Sequence, residues 1–314
     1  MTNKIAFLFP GQGAQYVGMG KELMEEFSAA REIMDKADQI LDTDIKRICL
    51  EGPKEDLNHT SNTQPAIFTV SMMANQILTD RGIIPTIVAG HSLGEYSALA
   101  AARSFSFEDG LNLVRKRGIF MDEALPAGLG SMAAIIKLDQ EKIAEICDKV
   151  DGVCEIANYN SPSQIVISGE KEAIGEAVEL AKEAGALKAV ELDVSGPFHS
   201  TLMEPAREKL SEEINKVDLT DPSVPVVANA SASKQDTADS IKENLLAQLT
   251  SSVRWIESME LMIDNGIDTF IEVGPGRVLK GLMRRIDRSV NVYNVQDVKS
   301  LNKTLDKLEV DVTV

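Results

Sequence analysis

Short, uninterrupted apolar runs alternate along the chain with longer stretches in which apolar residues recur at helical spacing. The first pattern predicts buried strands and the second predicts amphipathic helices. Ile5 to Phe9 is the first such run, and a strand is expected there, followed by the turn PGQGAQ and a helix from about Gly20 to Leu41. Thr63 to Arg81 predicts a helix, and Ile83 to Ala89 is the continuous apolar run of a parallel strand covered on both faces. GHSLGEYSALAAA then opens another helix. Strand, tight turn and helix in that order indicate an α/β domain.

The middle of the chain changes character. It predicts a strand at Met132 to Leu138, a helix at Gln140 to Val150, strands at Val153 to Asn158 and Gln164 to Ser168, a helix at Lys171 to Ala184 and a strand at Leu187 to Leu192. That βαββαβ order is the order of a ferredoxin-like unit. Pro126, Gly128 and Gly130 before it, and Gly196 and Pro197 after it, read as hinges. Alternation then resumes with a strand near Val224 to Asn229, helices near Ser240 to Leu249 and Trp255 to Asn265, and a strand at Thr269 to Val273. The expectation is a discontinuous large domain, residues 1–126 and 196–314, carrying an inserted unit at 127–195.

Composition narrows the class. With 314 residues, 44% hydrophobic and 26% charged, the chain suits a globular fold of one large domain and a smaller one. The amino-terminal apolar run is too short for a signal peptide or a membrane span. Cys49, Cys147 and Cys154 have no spacing that suggests a disulfide framework or a zinc site, so a reducing cytoplasm is expected. A formal charge of −17 repels polyanions and argues against nucleic acid as a partner. Against that background Arg277, Lys280, Arg284, Arg285 and Arg288 face only Asp287. The plainer reading is a solvated helix with cations near its carboxyl end, where the helix dipole favours them.

The candidate chemistry centres on Gly90-His91-Ser92-Leu93-Gly94, a Gly-x-Ser-x-Gly elbow lying between an expected strand and an expected helix. Ser92 is the candidate nucleophile, at a helix amino terminus where N–H groups and the dipole can hold an oxyanion. A serine hydroxyl needs a base. His91 adjoins it on a sharp turn and should point away, and His59 lies in the polar segment DLNHTSNTQ. His199, in a loop just after the inserted unit, is the base by elimination and position. The amide of Leu93 supplies one oxyanion donor, and PGQGAQ, through Gln12, supplies the other. That turn lacks the full glycine fingerprint of a dinucleotide site.

FPGQGAQ, TQPA, GHSLGEYSAL, VRKRG, ANYNSPSQIVISG, FHS, VRW and EVGPG together, in this order and spacing, resemble malonyl-CoA:acyl carrier protein transacylases over essentially the whole chain. The resemblance implies an α/β-hydrolase-like large domain with a parallel sheet and an inserted ferredoxin-like subdomain. It implies that Ser92 is acylated, that His199 acts as base and then acid, and that the main-chain carbonyl of Gln248 orients the histidine in place of a carboxylate. Gln12 and Leu93 match the oxyanion-hole positions, Arg117 matches the arginine that pairs with the malonyl carboxylate, and Phe198 fits the malonyl-selective pattern. Ser252 departs from the family's usual proline before VRW and puts the placement of Gln248 in doubt. The implied partners are malonyl-CoA or coenzyme A and holo acyl carrier protein, with Arg277, Lys280, Arg284 and Arg285 as docking residues. A monomer with no cofactor, metal, nucleic acid or membrane is expected. The residues alone leave two other readings open, a serine hydrolase such as a thioesterase and a catalytically silent carrier-binding module.

Overall fold

The computed structural model describes residues 4–41 and 43–309. Its strands are β1 (Ile5–Phe9), β2 (Ile87–Gly90), β3 (Gly130–Ile136), β4 (Cys154–Ser161), β5 (Gln164–Glu170), β6 (Lys188–Glu191), β7 (Val226–Val227), β8 (Lys234–Gln235), β9 (Thr269–Val273) and β10 (Asn291–Val295). They form a six-stranded sheet in the order β10-β9-β1-β2-β7-β8 and a four-stranded sheet in the order β4-β5-β3-β6. The large sheet is parallel from β10 to β7, with β8 antiparallel at its edge. The small sheet is antiparallel throughout.

The two-residue period of β1 explains why it is apolar at every position. Phe7 and Phe9 project into a core shared with Ile67, Phe68 and Val70 of the Thr60–Asp80 helix. Ala6 and Leu8 project to the other face, onto Trp255, Met259 and Leu279. The strand is thus sandwiched between helices, and its carboxyl end delivers the PGQGAQ turn to the same edge as the end of β2.

The small sheet divides its faces in another way. Ala133, Ile135, Ile165 and Ile167 pack under the Gln140–Lys149 and Lys171–Glu183 helices, through Ile143, Ile146, Ala177 and Val178. Met132, Ala134, Ala157 and Val166 turn the other way and join the core of the large sheet. The expected hinges are packed together, since a Cβ on Gly130 would stand 2.3 Å from Cδ of Pro197.

Several elements differ from the pattern-based expectation. The helix expected from Gly20 to Leu41 is broken at Phe27, whose extended backbone (φ −120°, ψ 121°) separates Lys21–Glu26 from Ser28–Leu41. The strand expected from Ile83 begins at Ile87, two residues past Pro85, which lacks the N–H a ladder needs. β7 keeps only two residues of the expected Val224 to Asn229. The Glu204–Ile214 and Val298–Leu308 helices, β8 and β10 were not announced by the pattern. No described helix is long and apolar enough to cross a membrane.

Candidate active site

β2 ends at Gly90 and a helix begins at Gly94, leaving three residues to reverse the chain. Ser92 takes φ 51°, a left-handed conformation unusual for a residue with a Cβ. The glycines make this possible. A Cβ on Gly90 would lie 1.8 Å from the Gly94 oxygen, and one on Gly94 would lie 2.0 Å from the Phe9 oxygen. His91 points away from Ser92 as expected. Its Nε2 lies 2.7 Å from Asn160 Oδ1 on the small sheet, and its ring meets Trp255 edge-on. Exposed His59 stands at the N-cap position of a helix, where its side chain makes no capping bond.

His199 does reach Ser92. Its Nε2 is 2.7 Å from Ser92 Oγ and its Nδ1 is 2.8 Å from the main-chain oxygen of Gln248. A carbonyl can only accept, so Nδ1 carries the proton and Nε2 is left with the lone pair that can take the serine proton. His199 also has a positive φ, 59°. Burial, reinforced by the charge of Arg117, lowers its pKa to about 3, which keeps the imidazole neutral and ready as a base. Ser252 is the departure from the family pattern. Its hydroxyl donates to the Ile156 oxygen, and the Gln248 carbonyl keeps its place.

Arg117 lies on the Phe107–Glu123 helix and is 1% exposed. Its Nη2 donates to Ser92 Oγ at 3.1 Å and to Gln248 Oε1 at 3.0 Å, and its Nη1 donates to Gln64 Oε1 at 2.9 Å. The neighbouring cations go elsewhere, Arg115 to Ser61 and Asn62 and Lys116 to Glu213. The buried charge of Arg117 is answered through Gln248, whose Nε2 donates to Glu95 Oε2 at 2.7 Å. Glu95 also accepts from the Asn229 amide at 3.0 Å and from Gln235 at 2.8 Å. Burial pushes its pKa up, and the bonds from Asn229, Gln248 and Gln235 and the charge of Arg117 work against that rise. Glu95 and Arg117 therefore form a buried pair bridged by one glutamine amide.

The cleft above these residues has a volume of about 300 Å³ and is lined by Gln12, His91, Leu93, Met132, Leu192 and Phe198, among others. The amide of Ser92 is taken by Asn229 Oδ1 at 2.6 Å, whereas those of Gln12 and Leu93 find no acceptor among the described residues. Two free N–H groups beside a half-buried serine and a buried imidazole and guanidinium suit an oxyanion next to an acidic group.

The acyl transferase domain family matches residues 6–307, nearly the whole described chain. The chain belongs to this family, among the malonyl CoA-acyl carrier protein transacylases. The transacylase of Bacillus subtilis (strain 168) is 48% identical over 310 residues, covering 98% of each chain. That of Staphylococcus aureus (strain MW2) is 45% identical over 307 residues, covering 96% of this chain and 99% of the other. The crystal structure of the acyl-carrier-protein S-malonyltransferase of Bartonella henselae superposes with a TM-score of 0.95 at 44% identity, covering 98% of this chain and 99% of that one. A malonyl-transacylase in complex with a holo type II polyketide acyl carrier protein gives 0.95 at 39%, over 97% of this chain and 100% of that one.

Within this transacylase fold the expected basic patch is split. Arg277 and Lys280 line a groove with Asn294, Lys299 and Lys303, whereas Arg284, Arg285 and Arg288 line another beside β10. Arg285 alone of the expected docking residues reaches the small sheet, where it donates to Gln164 Oε1 at 3.3 Å. The sequence reading missed Gln64, Glu95 and Asn229. Glu95 sits inside GHSLGEYSAL, where a charged side chain on an otherwise apolar helix was the available signal.

Proposed function

We propose that this chain moves a malonyl group from malonyl-CoA to the phosphopantetheine thiol of acyl carrier protein through an ester on Ser92. The observation that carries this reading is the convergence of a base and a guanidinium on one hydroxyl, His199 Nε2 at 2.7 Å and Arg117 Nη2 at 3.1 Å from Ser92 Oγ. His199 takes the serine proton as Oγ attacks the thioester carbonyl, and the developing oxyanion is held by the amides of Gln12 and Leu93. The imidazolium, oriented by Gln248, returns its proton to the departing coenzyme A sulfur. The carrier thiol then enters, yields its proton to His199 and takes the malonyl group by the reverse sequence.

Arg117 supplies the selectivity. A guanidinium and a carboxylate can form two parallel charge-assisted hydrogen bonds, which acetyl cannot offer. We assign the small sheet and its two helices to a ferredoxin-like subdomain at 127–195. It closes over an α/β-hydrolase-like domain made of 1–126 and 196–314, and the strand orders support this. Arg284 and Arg285 are the proposed carrier-docking cations, with Arg277 and Lys280 as a second group on the adjoining groove. Three free thiols fit a reducing compartment such as the cytoplasm, and we treat the chain as a monomer.

The deciding experiment is incubation with labelled malonyl-CoA and then holo acyl carrier protein. Label should appear first on Ser92 and afterwards on the carrier. A Ser92→Ala variant that still accumulated malonyl-enzyme would sink the mechanism, and release of free malonate in place of transfer would make the chain a hydrolase.

A further inference from the structure

Cys147 and Cys154 are seven residues apart, a spacing that suggests no disulfide framework, yet the fold brings their sulfurs to 3.5 Å. Cys147 lies in the last turn of the Gln140–Lys149 helix and Cys154 opens β4, so the short connection between helix and strand brings them together. Both are free, and both line an open hollow of about 440 Å³ that also contains Glu155, Tyr159, Ser251 and His199. Each of the two is 8% exposed, and the hollow is its open side. The third cysteine, Cys49, is wholly buried in the main core.

The strand that Cys154 opens holds the catalytic base on two sides. Glu155, the next residue, accepts from the amide of Thr201 at 2.7 Å and from its hydroxyl at 2.9 Å, two residues beyond His199. Ala157 accepts from the Val253 amide at 2.8 Å, and Tyr159 donates to the Val253 oxygen at 2.9 Å. The segment so fixed follows Gln248, whose carbonyl orients His199. One strand thus links Cys154 to both supports of the imidazole.

We propose that Cys147 and Cys154 form an oxidisable dithiol site that takes a low-molecular-weight disulfide as its oxidant and, once closed, slows acyl transfer by displacing the supports of His199. In the first step the Cys154 thiolate attacks one sulfur of the disulfide; a mixed disulfide forms and one thiolate leaves. Cys147 then loses its proton to water and its sulfur attacks Cys154 Sγ, forming the internal bond and expelling the second thiolate. Two electrons pass from the protein to the oxidant, and the two released thiolates take up the two protons. The contact between the two sulfurs holds the Cys154 thiol below its usual range and raises Cys147, which favours Cys154 as the first nucleophile. Closing the bond brings sulfurs now 3.5 Å apart to about 2.0 Å. If the strand passes on about 1 Å of that movement to the imidazole, transfer should slow by roughly tenfold to a hundredfold.

The test treats the whole chain with glutathione disulfide and follows both the cysteine peptides, by mass spectrometry, and transfer to carrier protein. A Cys147–Cys154 cross-link two hydrogens lighter than the dithiol should accumulate as transfer falls about tenfold or more, and dithiothreitol should restore both. Cys147→Ser should instead retain one glutathione on Cys154. The variant with both cysteines changed to serine, or both to alanine if serine disturbs packing, should keep its rate under the same treatment. No cross-link, a cross-link with unchanged transfer, or equal loss in the double variants would each overturn the proposal. The cross-link is read without any transfer assay, so it stands or falls apart from the proposed function.

Discussion

His199 Nδ1 lies 2.8 Å from the main-chain oxygen of Gln248, so a neutral carbonyl occupies the place where a carboxylate often orients a catalytic histidine. No side chain at position 248 is needed for that contact. His199→Ala should therefore lower kcat by roughly a hundred- to ten-thousandfold, the usual worth of a general base. Gln248→Ala keeps the carbonyl, removes only the amide bridge, and should lose much less. Steady-state kinetics on both variants checks the order, and an equal loss would mean that the Gln248 side chain is indispensable.

Arg117→Ala removes the group expected to grip the malonyl carboxylate. Malonyl transfer should fall by about 2–4 kcal/mol, roughly thirty- to a thousandfold, while the slow acetyl reaction changes little. Competition between the two thioesters measures this directly. Parallel losses for both would remove Arg117 from substrate recognition.

His199 carries a pKa depressed to about 3, first by burial and then by Arg117. In the unfolded chain a histidine titrates near 6.5, so the unfolded state binds the proton more readily. The stability contributed by the neutral imidazole is fully present above about pH 6.5 and is lost as pH falls toward about 3. Arg117→Gln removes a positive neighbour, so the His199 titration should move upward. NMR of the ring protons follows it, with only His59 and His91 to distinguish. An unmoved or lower pKa would contradict the coupling.

Glu95 accepts from Asn229, Gln235 and Gln248 with no exposed surface. Glu95→Gln puts two N–H donors among three others, and Glu95→Ala leaves Arg117 without its compensating charge. Each should destabilise the fold by about 2–4 kcal/mol in denaturant titrations, through unsatisfied buried polar groups. A change within about 0.5 kcal/mol would show that the network is dispensable for stability.

Glycines at different places should respond in opposite senses. Gly94→Ala drives a Cβ to 2.0 Å from a backbone oxygen and should abolish activity and stable folding. Gly175, within the Lys171–Glu183 helix, has nothing within 4 Å of a Cβ, so Gly175→Ala should raise stability by about 0.5–1 kcal/mol. Thermal melting of the two variants compares them.

What the sequence made legible were features coded within a few residues. The apolar run at Ile5–Phe9, the elbow around Ser92 and the order of elements from Gly130 to Glu191 all appear where local pattern put them. β10 was hidden because Asn291 and Asn294 interrupt its apolar pattern. Glu95, Asn229 and Gln64 were hidden for a different reason. Their roles exist only as contacts across long sequence separations, such as Asn229 to Glu95 or Gln64 to Arg117, and no short window contains both partners. The closeness of Cys147 to Cys154 was equally unreadable, because it depends on how a helix end meets a strand start.

To a thioester, the hydroxyl of threonine is nearly the hydroxyl of serine, and a single-base change in a codon often separates the two. At residue 92 that exchange is blocked by shape rather than by reactivity. With φ at 51° a branched Cβ would collide with its own main chain. The same bar stands at His199, where φ is 59°. The two residues proposed to react are thus fenced off from branched neighbours in sequence space by the bend of the backbone beneath them, before selection on chemistry has anything to act upon.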